Sequence, residues 1–340
     1  MKNALFATTA LVALGVAGAA SAAEPLTASV SGYMFAGVAY STMDNGVTSS
    51  DDVGVMRDGE IHFSFRGTSD NGLTFDGRVE LEAFTTGDTI DENWVRISGP
   101  FGWVKIGADD HASYNLSTGV LYAPGAKIGH YDAFNESHPV GGVFATNNRF
   151  SDQVGIHYNT PEFSGLQAQI SYLPSLSSDS GGDSNTAVFG DDDAISLGVN
   201  YRFEGEGFAV QVSGGYDVYD AAAGLDDDGF SAGARVEVAG FTLGGLYKEG
   251  MEDSLAGNHA ESEYVVNAAY STGPWTAGLG WAHFSDLGGT TTDADKFAGW
   301  VTYALMPGVT TTLGVEHTNV DGGGADADGT TAMLYMGLSF

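Results

Sequence analysis

Residues 332–340 read AMLYMGLSF, and the alternation inside them decides the fold. Leu334, Met336, Leu338 and Phe340 fall on one parity. Met333, Tyr335, Gly337 and Ser339 fall on the other. A period of two marks a strand, here with one apolar face and one mixed face. The pattern runs to the final aromatic residue, whereas the ends of most domains fray. A strand held to its last residue must be paired there, as in a closed barrel. An ordinary edge strand is the alternative at this point.

At the other end, Lys2 precedes an apolar run from Ala4 to Ala20, followed by Ala20-Ser21-Ala22. This order of charged, apolar and small residues predicts a cleaved secretory signal over residues 1–22, with the barrel over 23–340. A membrane anchor is the competing reading, but the run is short and is diluted by Thr8, Thr9, Gly15 and Gly18. Cleavage after Ala22 leaves 340 − 22 = 318 residues. No later stretch reaches the length of a spanning helix. Charged residues make up only 16%, which is low for a soluble protein, beside 50 Gly, 19 Phe and 15 Tyr. There are no cysteines, so neither disulfides nor thiolate metal sites are needed, which is compatible with the periplasm and outer membrane. Removing Lys2 from 12 basic residues leaves 11 against 44 acidic ones, a net charge of −33. That excludes nucleic acid as a default partner, because phosphate binding needs clustered Lys and Arg. Plain solubility and calcium-decorated loops both remain as explanations of the acidity.

Working along the chain, apolar/polar alternation recurs in paired segments, the weak per-strand signal of a membrane barrel. Sixteen segments carry it: 28–41, 57–69, 73–86, 91–98, 102–109, 153–160, 166–174, 193–204, 208–219, 229–238, 241–249, 263–271, 275–285, 295–304, 309–318 and 330–340. The segments 91–98 and 102–109 are short against the 9–11 residues a tilted spanning strand needs, so counts of fourteen and eighteen stay open. Connections alternate between short turns, such as Asp70-Asn71-Gly72 and Thr272-Gly273-Pro274, and long acidic loops at 42–56, 175–192, 220–228, 250–262, 286–294 and 319–329. A chain with short turns on one side of a membrane and long loops on the other sorts its connections in this way. A soluble sandwich has no reason to, and no fixed-length solenoid repeat is visible. Proline cannot donate to a strand ladder, and none of the eight prolines interrupts a segment.

Three stretches resemble one family. Residues 152–172, DQVGIHYNTPEFSGLQAQISY, resemble a strand–turn–strand of Gram-negative general-diffusion porins. Residues 101–110, FGWVKIGADD, resemble the strand that leads into those porins' third external loop. The tail ending in Phe340 resembles the signal read by the outer-membrane barrel assembly machinery. The resemblance in layout spans the mature chain. It implies an all-β, transmembrane antiparallel barrel of sixteen strands, assembled as a homotrimer in outer-membrane lipid and lipopolysaccharide. It implies passage of small hydrophilic solutes and ions, and a long third external loop folded into the lumen. The segment 110–152 is the candidate for that loop. It is too long for an ordinary connection and is rich in apolar residues suited to packing on a wall; an externally folded lobe is the alternative. The small residues Gly32, Ala36, Gly37 and Ala39 of the first strand are a further hint of a close neighbouring wall.

Parity also sorts the charges. A charge on the lipid face costs about 2–4 kcal/mol at the midplane, so the apolar parity must face outward. Arg66, Arg78, Arg96 and Lys105 then share one lumenal wall, with Arg57 on the other parity. The resemblance implies loop acids facing that wall across the narrowest point, and Asp109, Asp110, Asp132 and Glu136 are the candidates here. Scattered solvated charges are the bland alternative. The same loop carries His111, His130, His138 and Lys127, a departure from the family's acidic pattern. No nucleophile elbow, zinc-protease helix or phosphate loop is present. His62 with Glu60, and His157 with Ser151, are read as polar wall rather than acid–base pairs. An outer-membrane lipase or protease barrel and a structural or adhesive surface barrel are the alternatives to a channel. No cofactor is expected. Residues 321–329, DGGGADADG, offer hard oxygens for calcium but lack the spacing and closing Glu of an EF-hand. The sequence reading is a passive, weakly cation-selective pore in the outer membrane of a Gram-negative bacterium.

Overall fold

The computed structural model describes residues 24–44, 48–84, 90–121, 123, 150, 152–176, 193–220, 227–250, 261–286, 292–322 and 326–340. Sixteen strands follow in order: β1 (Glu24–Asp44), β2 (Ser49–Thr68), β3 (Thr74–Glu82), β4 (Asn93–Gly99), β5 (Gly102–Ala108), β6 (Val154–Asn159), β7 (Leu166–Leu173), β8 (Asp193–Gly205), β9 (Phe208–Asp220), β10 (Asp227–Val238), β11 (Phe241–Gly250), β12 (Ser262–Thr272), β13 (Trp275–Ser285), β14 (Asp293–Met306), β15 (Val309–Asp321) and β16 (Ala327–Ser339). One helical turn, α1 (Ala112–Asn115), follows β5. Every strand pairs antiparallel with its chain neighbours, and β1 pairs with β16 to close a barrel. The seam is held to the last residue. The Phe340 N–H donates to the Gly32 carbonyl at 3.1 Å, and the Gly32 N–H donates back to the Phe340 carbonyl at 3.0 Å.

Period-2 alternation gives the wall two chemistries. On β16, Leu334 is 51% exposed and faces out, while Tyr335 is 2% exposed and faces in. On β8, Ile195, Leu197, Val199 and Tyr201 face out, while Ser196 and Asn200 face in. The outer face is thus apolar, and at the strand ends it carries paired aromatics with tilted rings. Phe241–Tyr270 and Trp275–Tyr303 meet at the short-turn end, each with ring centroids 4.5 Å apart. Tyr247–Tyr264 meet at the long-loop end at 4.9 Å. Two aromatic girdles flanking an apolar band match the two interfaces of a bilayer. The short turns follow hairpin chemistry. Ala239 and Gly240 both have positive φ, at 50° and 85°, the backbone that a two-residue turn between right-twisted strands requires.

Two expectations change. β2 begins at Ser49 instead of 57, so the anticipated 42–56 loop is mostly strand. Asp51 and Asp52 pair with Thr42 and Ser41, and Val55 is 79% exposed on the outer face. Carboxylates near a strand end read as loop, yet a ladder tolerates them there. The small-residue hint on β1 is also split by the pleat. Gly37 lies against Tyr335, and Ala39 packs in an inward cluster with Phe35, so only Gly32 and Ala36 fall on the outward parity.

Val266→Lys, on the outer face of β12, should lower unfolding stability by about 2–4 kcal/mol. Gln211→Lys, on the inner face of β9, should change it by less than about 1 kcal/mol. Urea unfolding in lipid vesicles measures both, and equal losses would contradict the assignment of faces.

Candidate functional site

After β5 the chain turns onto the inner wall and crosses it. The Ser113 N–H donates to the Ser196 hydroxyl at 2.9 Å, and the Ser113 hydroxyl donates to Asp217 at 2.8 Å. Asn200 donates to the Leu116 carbonyl at 2.8 Å, the Thr118 N–H to the Ser213 hydroxyl at 3.0 Å, and Asn267 to the Gly119 carbonyl at 3.0 Å. The acceptors and donors step from β8 through β9 to β12. Beyond them, Val120 packs on Leu246, Val265, Ala282 and Phe284. Leu121 and Ala123 pack on Phe35, Met56, Trp300, Met333 and Tyr335. These inward apolar patches are dry because this segment covers them. Its return end is anchored near its start, where the Phe150 and His111 rings lie 5.0 Å apart.

Backbone this close needs wall positions without side chains. A Cβ at Gly198 would lie 2.2 Å from the Ala112 carbonyl oxygen, and one at Gly233 would lie 1.9 Å from that of Thr118. At Gly215 it would meet Ser113 at 2.6 Å, and at Gly244 the Gly119 carbonyl oxygen at 2.2 Å. These four glycines, one each on β8 to β11, form a track for residues 112–119. Sequence reasoning missed them, since glycine in a strand signals close approach without naming the partner.

The structure gathers three of the four expected basic residues. Arg78, Arg96 and Lys105 interleave with Trp94 and Trp103 on the inner face of β3, β4 and β5. Arg96 lies 5.2 Å from the Trp94 ring centroid and 5.5 Å from that of Trp103. Lys105 lies 4.6 and 5.4 Å from the same two rings, and Arg78 lies 5.8 Å from Trp94. Each such contact contributes about 0.5–2 kcal/mol and holds a flexible cation in place. Arg66 stands apart, exposed and opposite Asp76 near the turn after β2.

The wall is not purely basic. Arg96 grips Asp76 with two bonds, at 2.5 and 3.2 Å, and Arg78 donates to Glu80 at 2.7 Å. Lys105 pairs with Asp109, so one expected loop acid neutralises the wall at its foot. Asp110 faces Asp152 instead; burial, and then that neighbouring carboxyl, hold its pKa well above the carboxylate range. Burial and then Glu80 push Glu92 to about 9. Asp132 and Glu136 lie outside the described residues, as do His130, His138 and Lys127. So do Gly323–Ala325 of the calcium candidate. His157 stays in the wall, its Nδ1 2.8 Å from the Ser171 hydroxyl, while Ser151 lies outside the described residues.

The family model described as Gram-negative porin matches residues 7–323. Solved structures share the barrel. The anion-selective porin from Comamonas acidovorans is 18% identical, with a TM-score of 0.61 over 93% of this chain and 100% of that one. OprB from Pseudomonas putida is 11% identical, with a TM-score of 0.66 over 92% and 94%. A triple mutant of Rhodopseudomonas blastica porin is 18% identical, with a TM-score of 0.57 over 92% and 100%. No curated protein matches the chain.

Gly233→Val should unseat the inner segment while leaving the barrel closed, at an overpacking cost of about 1–3 kcal/mol. The chain has no cysteine, so a spin label on Ser117→Cys reports this segment alone. The label should gain mobility in the Gly233→Val background, with heat-modifiable gel migration retained. An unchanged spectrum would refute the track.

Proposed function

We propose a transport role from a firm premise: the chain belongs to the Gram-negative porin family, and its barrel is a passive channel of the outer membrane. The finer reading is a general-diffusion pore for small hydrophilic solutes and ions, narrowed by residues 110–152 and weakly selective for cations. It works without turnover and without a cofactor. The observation that carries it is the seating of residues 112–121 across the inner wall. A segment held inside a closed barrel subtracts from the open cross-section.

Selectivity follows from two opposed fields. The net charge of −33 after loss of Lys2 enriches cations at the mouth, most strongly at low salt, where the screening length exceeds about 10 Å. Arg78, Arg96 and Lys105 oppose this inside, but Glu80, Asp76 and Asp109 offset them at contact distance. The surplus of acids then decides the sign. The word "anion-selective" belongs to the Comamonas acidovorans porin, and the wall chemistry here favours the other sign. Assembly as a homotrimer, insertion by the barrel assembly machinery, contact with lipopolysaccharide and cleavage of residues 1–22 complete the proposal. They rest on family membership and the sequence pattern.

Arg78→Gln with Arg96→Gln removes the guanidinium partners of Glu80 and Asp76. In planar bilayers under a salt gradient, the reversal potential should shift further toward cations and the single-channel conductance should change. A double variant that conducts and selects like the parent would remove these side chains from the solute path. An anion-selective parent would overturn the sign.

A further inference from the structure

The inner wall carries a second arrangement that solute passage does not require. Glu60 and His62 lie two residues apart on β2 and therefore on one face, and His62 is the direct cross-strand partner of Glu80 on β3. The His62 Nε2 lies 2.9 Å from Glu60 Oε2 and 3.4 Å from Glu80 Oε2. One ligand atom from each residue falls within a common 4.8 Å. We propose that Glu60, His62 and Glu80 form a divalent-metal site that takes zinc in preference to calcium or magnesium.

The spacing fits the ion. Metal–ligand bonds of about 2.0–2.1 Å in a tetrahedron place neighbouring ligand atoms about 3.3 Å apart. The two separations from His62 Nε2 bracket that edge and the carboxylate oxygens lie within 4.8 Å of each other, so small side-chain rotations close the three ligand atoms on an ion that displaces the hydrogen-bonding proton. The remaining carboxylate oxygens are already held from behind. The Tyr33 hydroxyl donates to Glu60 Oε1 at 2.6 Å, and Arg78 donates to Glu80 Oε1 at 2.7 Å. This is the outer layer of hydrogen bonds that orients ligands in metal sites. The Tyr33 ring also meets the His62 ring edge-on, with centroids 6.4 Å apart, which limits how the imidazole turns.

Charge and burial point the same way. Glu60 and Glu80 are 7% and 5% exposed. Glu82 and Asp91 lie within the same 4.8 Å of Glu60, so four carboxylates converge where Arg78 supplies the cation of the described ion pairs. A divalent ion relieves that repulsion. The ligand set decides which ion. Calcium takes six to eight oxygens and magnesium keeps an octahedron of oxygens, whereas one imidazole with two carboxylates and an open fourth position suits zinc. All three ligands stand on paired strands, which fixes their geometry better than a loop would.

The test reads binding alone, so it stands or falls independently of conduction. The full barrel in detergent, stripped with chelator, is titrated with zinc by calorimetry and with cobalt by visible absorption. The expected result is one zinc per chain, and a cobalt spectrum of low coordination number that zinc abolishes and excess calcium or magnesium does not. Tyr33→Phe should weaken zinc about 10–100-fold. His62→Gln and Glu80→Gln should each remove the cobalt spectrum while keeping heat-modifiable migration. Absence of zinc binding in the parent would overturn the site. So would parent-like zinc affinity in His62→Gln or Glu80→Gln, or displacement of zinc by calcium.

Discussion

Hydrocarbon offers no partner to a backbone amide, and every other feature of this barrel follows from that. Each unpaired N–H or C=O in the bilayer costs several kcal/mol, so a sheet there must have no edge. The chain meets the requirement at the seam between β1 and β16, where even Phe340 exchanges both of its backbone bonds with Gly32. Once the ladder is closed, the pleat does the rest. One parity of all sixteen strands must suit lipid, and the other is released from that demand and free to carry charge.

The released face is used in two ways. On β3 to β5 it is zwitterionic: cations, tryptophans and carboxylates neutralise one another across adjacent strands. On β8 to β12 it is small and hydroxylic, and there it receives another piece of the same chain. The apolar inward residues, such as Leu246, Val265, Met333 and Tyr335, make sense only with Val120 and Leu121 upon them. A polar lumen and dry inward patches coexist because a loop separates them from water.

The sixteen strands were legible because alternation, hairpin turns and proline avoidance agreed with one another from 57 to 340. They failed together at 49–56, where Asp51, Asp52 and Gly54 resemble loop chemistry while the backbone still pairs with β1. Side-chain parity puts Arg78, Arg96 and Lys105 on one wall, and in the structure they lie together around Trp94 on β3 to β5. Parity also puts Asp76 and Glu80 on that face, beside Arg78 on β3, but the grip of Arg96 on Asp76 depends on the register between β3 and β4. The glycine track was harder still. Gly198, Gly215, Gly233 and Gly244 are unremarkable within their own strands, and their meaning lies in a segment 80 or more residues earlier.

That separation along the chain orders the birth of the molecule. The seated segment belongs to the first half of the sequence, while the four strands that receive it belong to the second. Residues 112–119 cannot lie on β8 to β11 until those strands stand side by side. That part of the wall must therefore exist before its lining. The seat of residues 112–119 is thus made by strand pairing that comes later in the chain than the segment it holds.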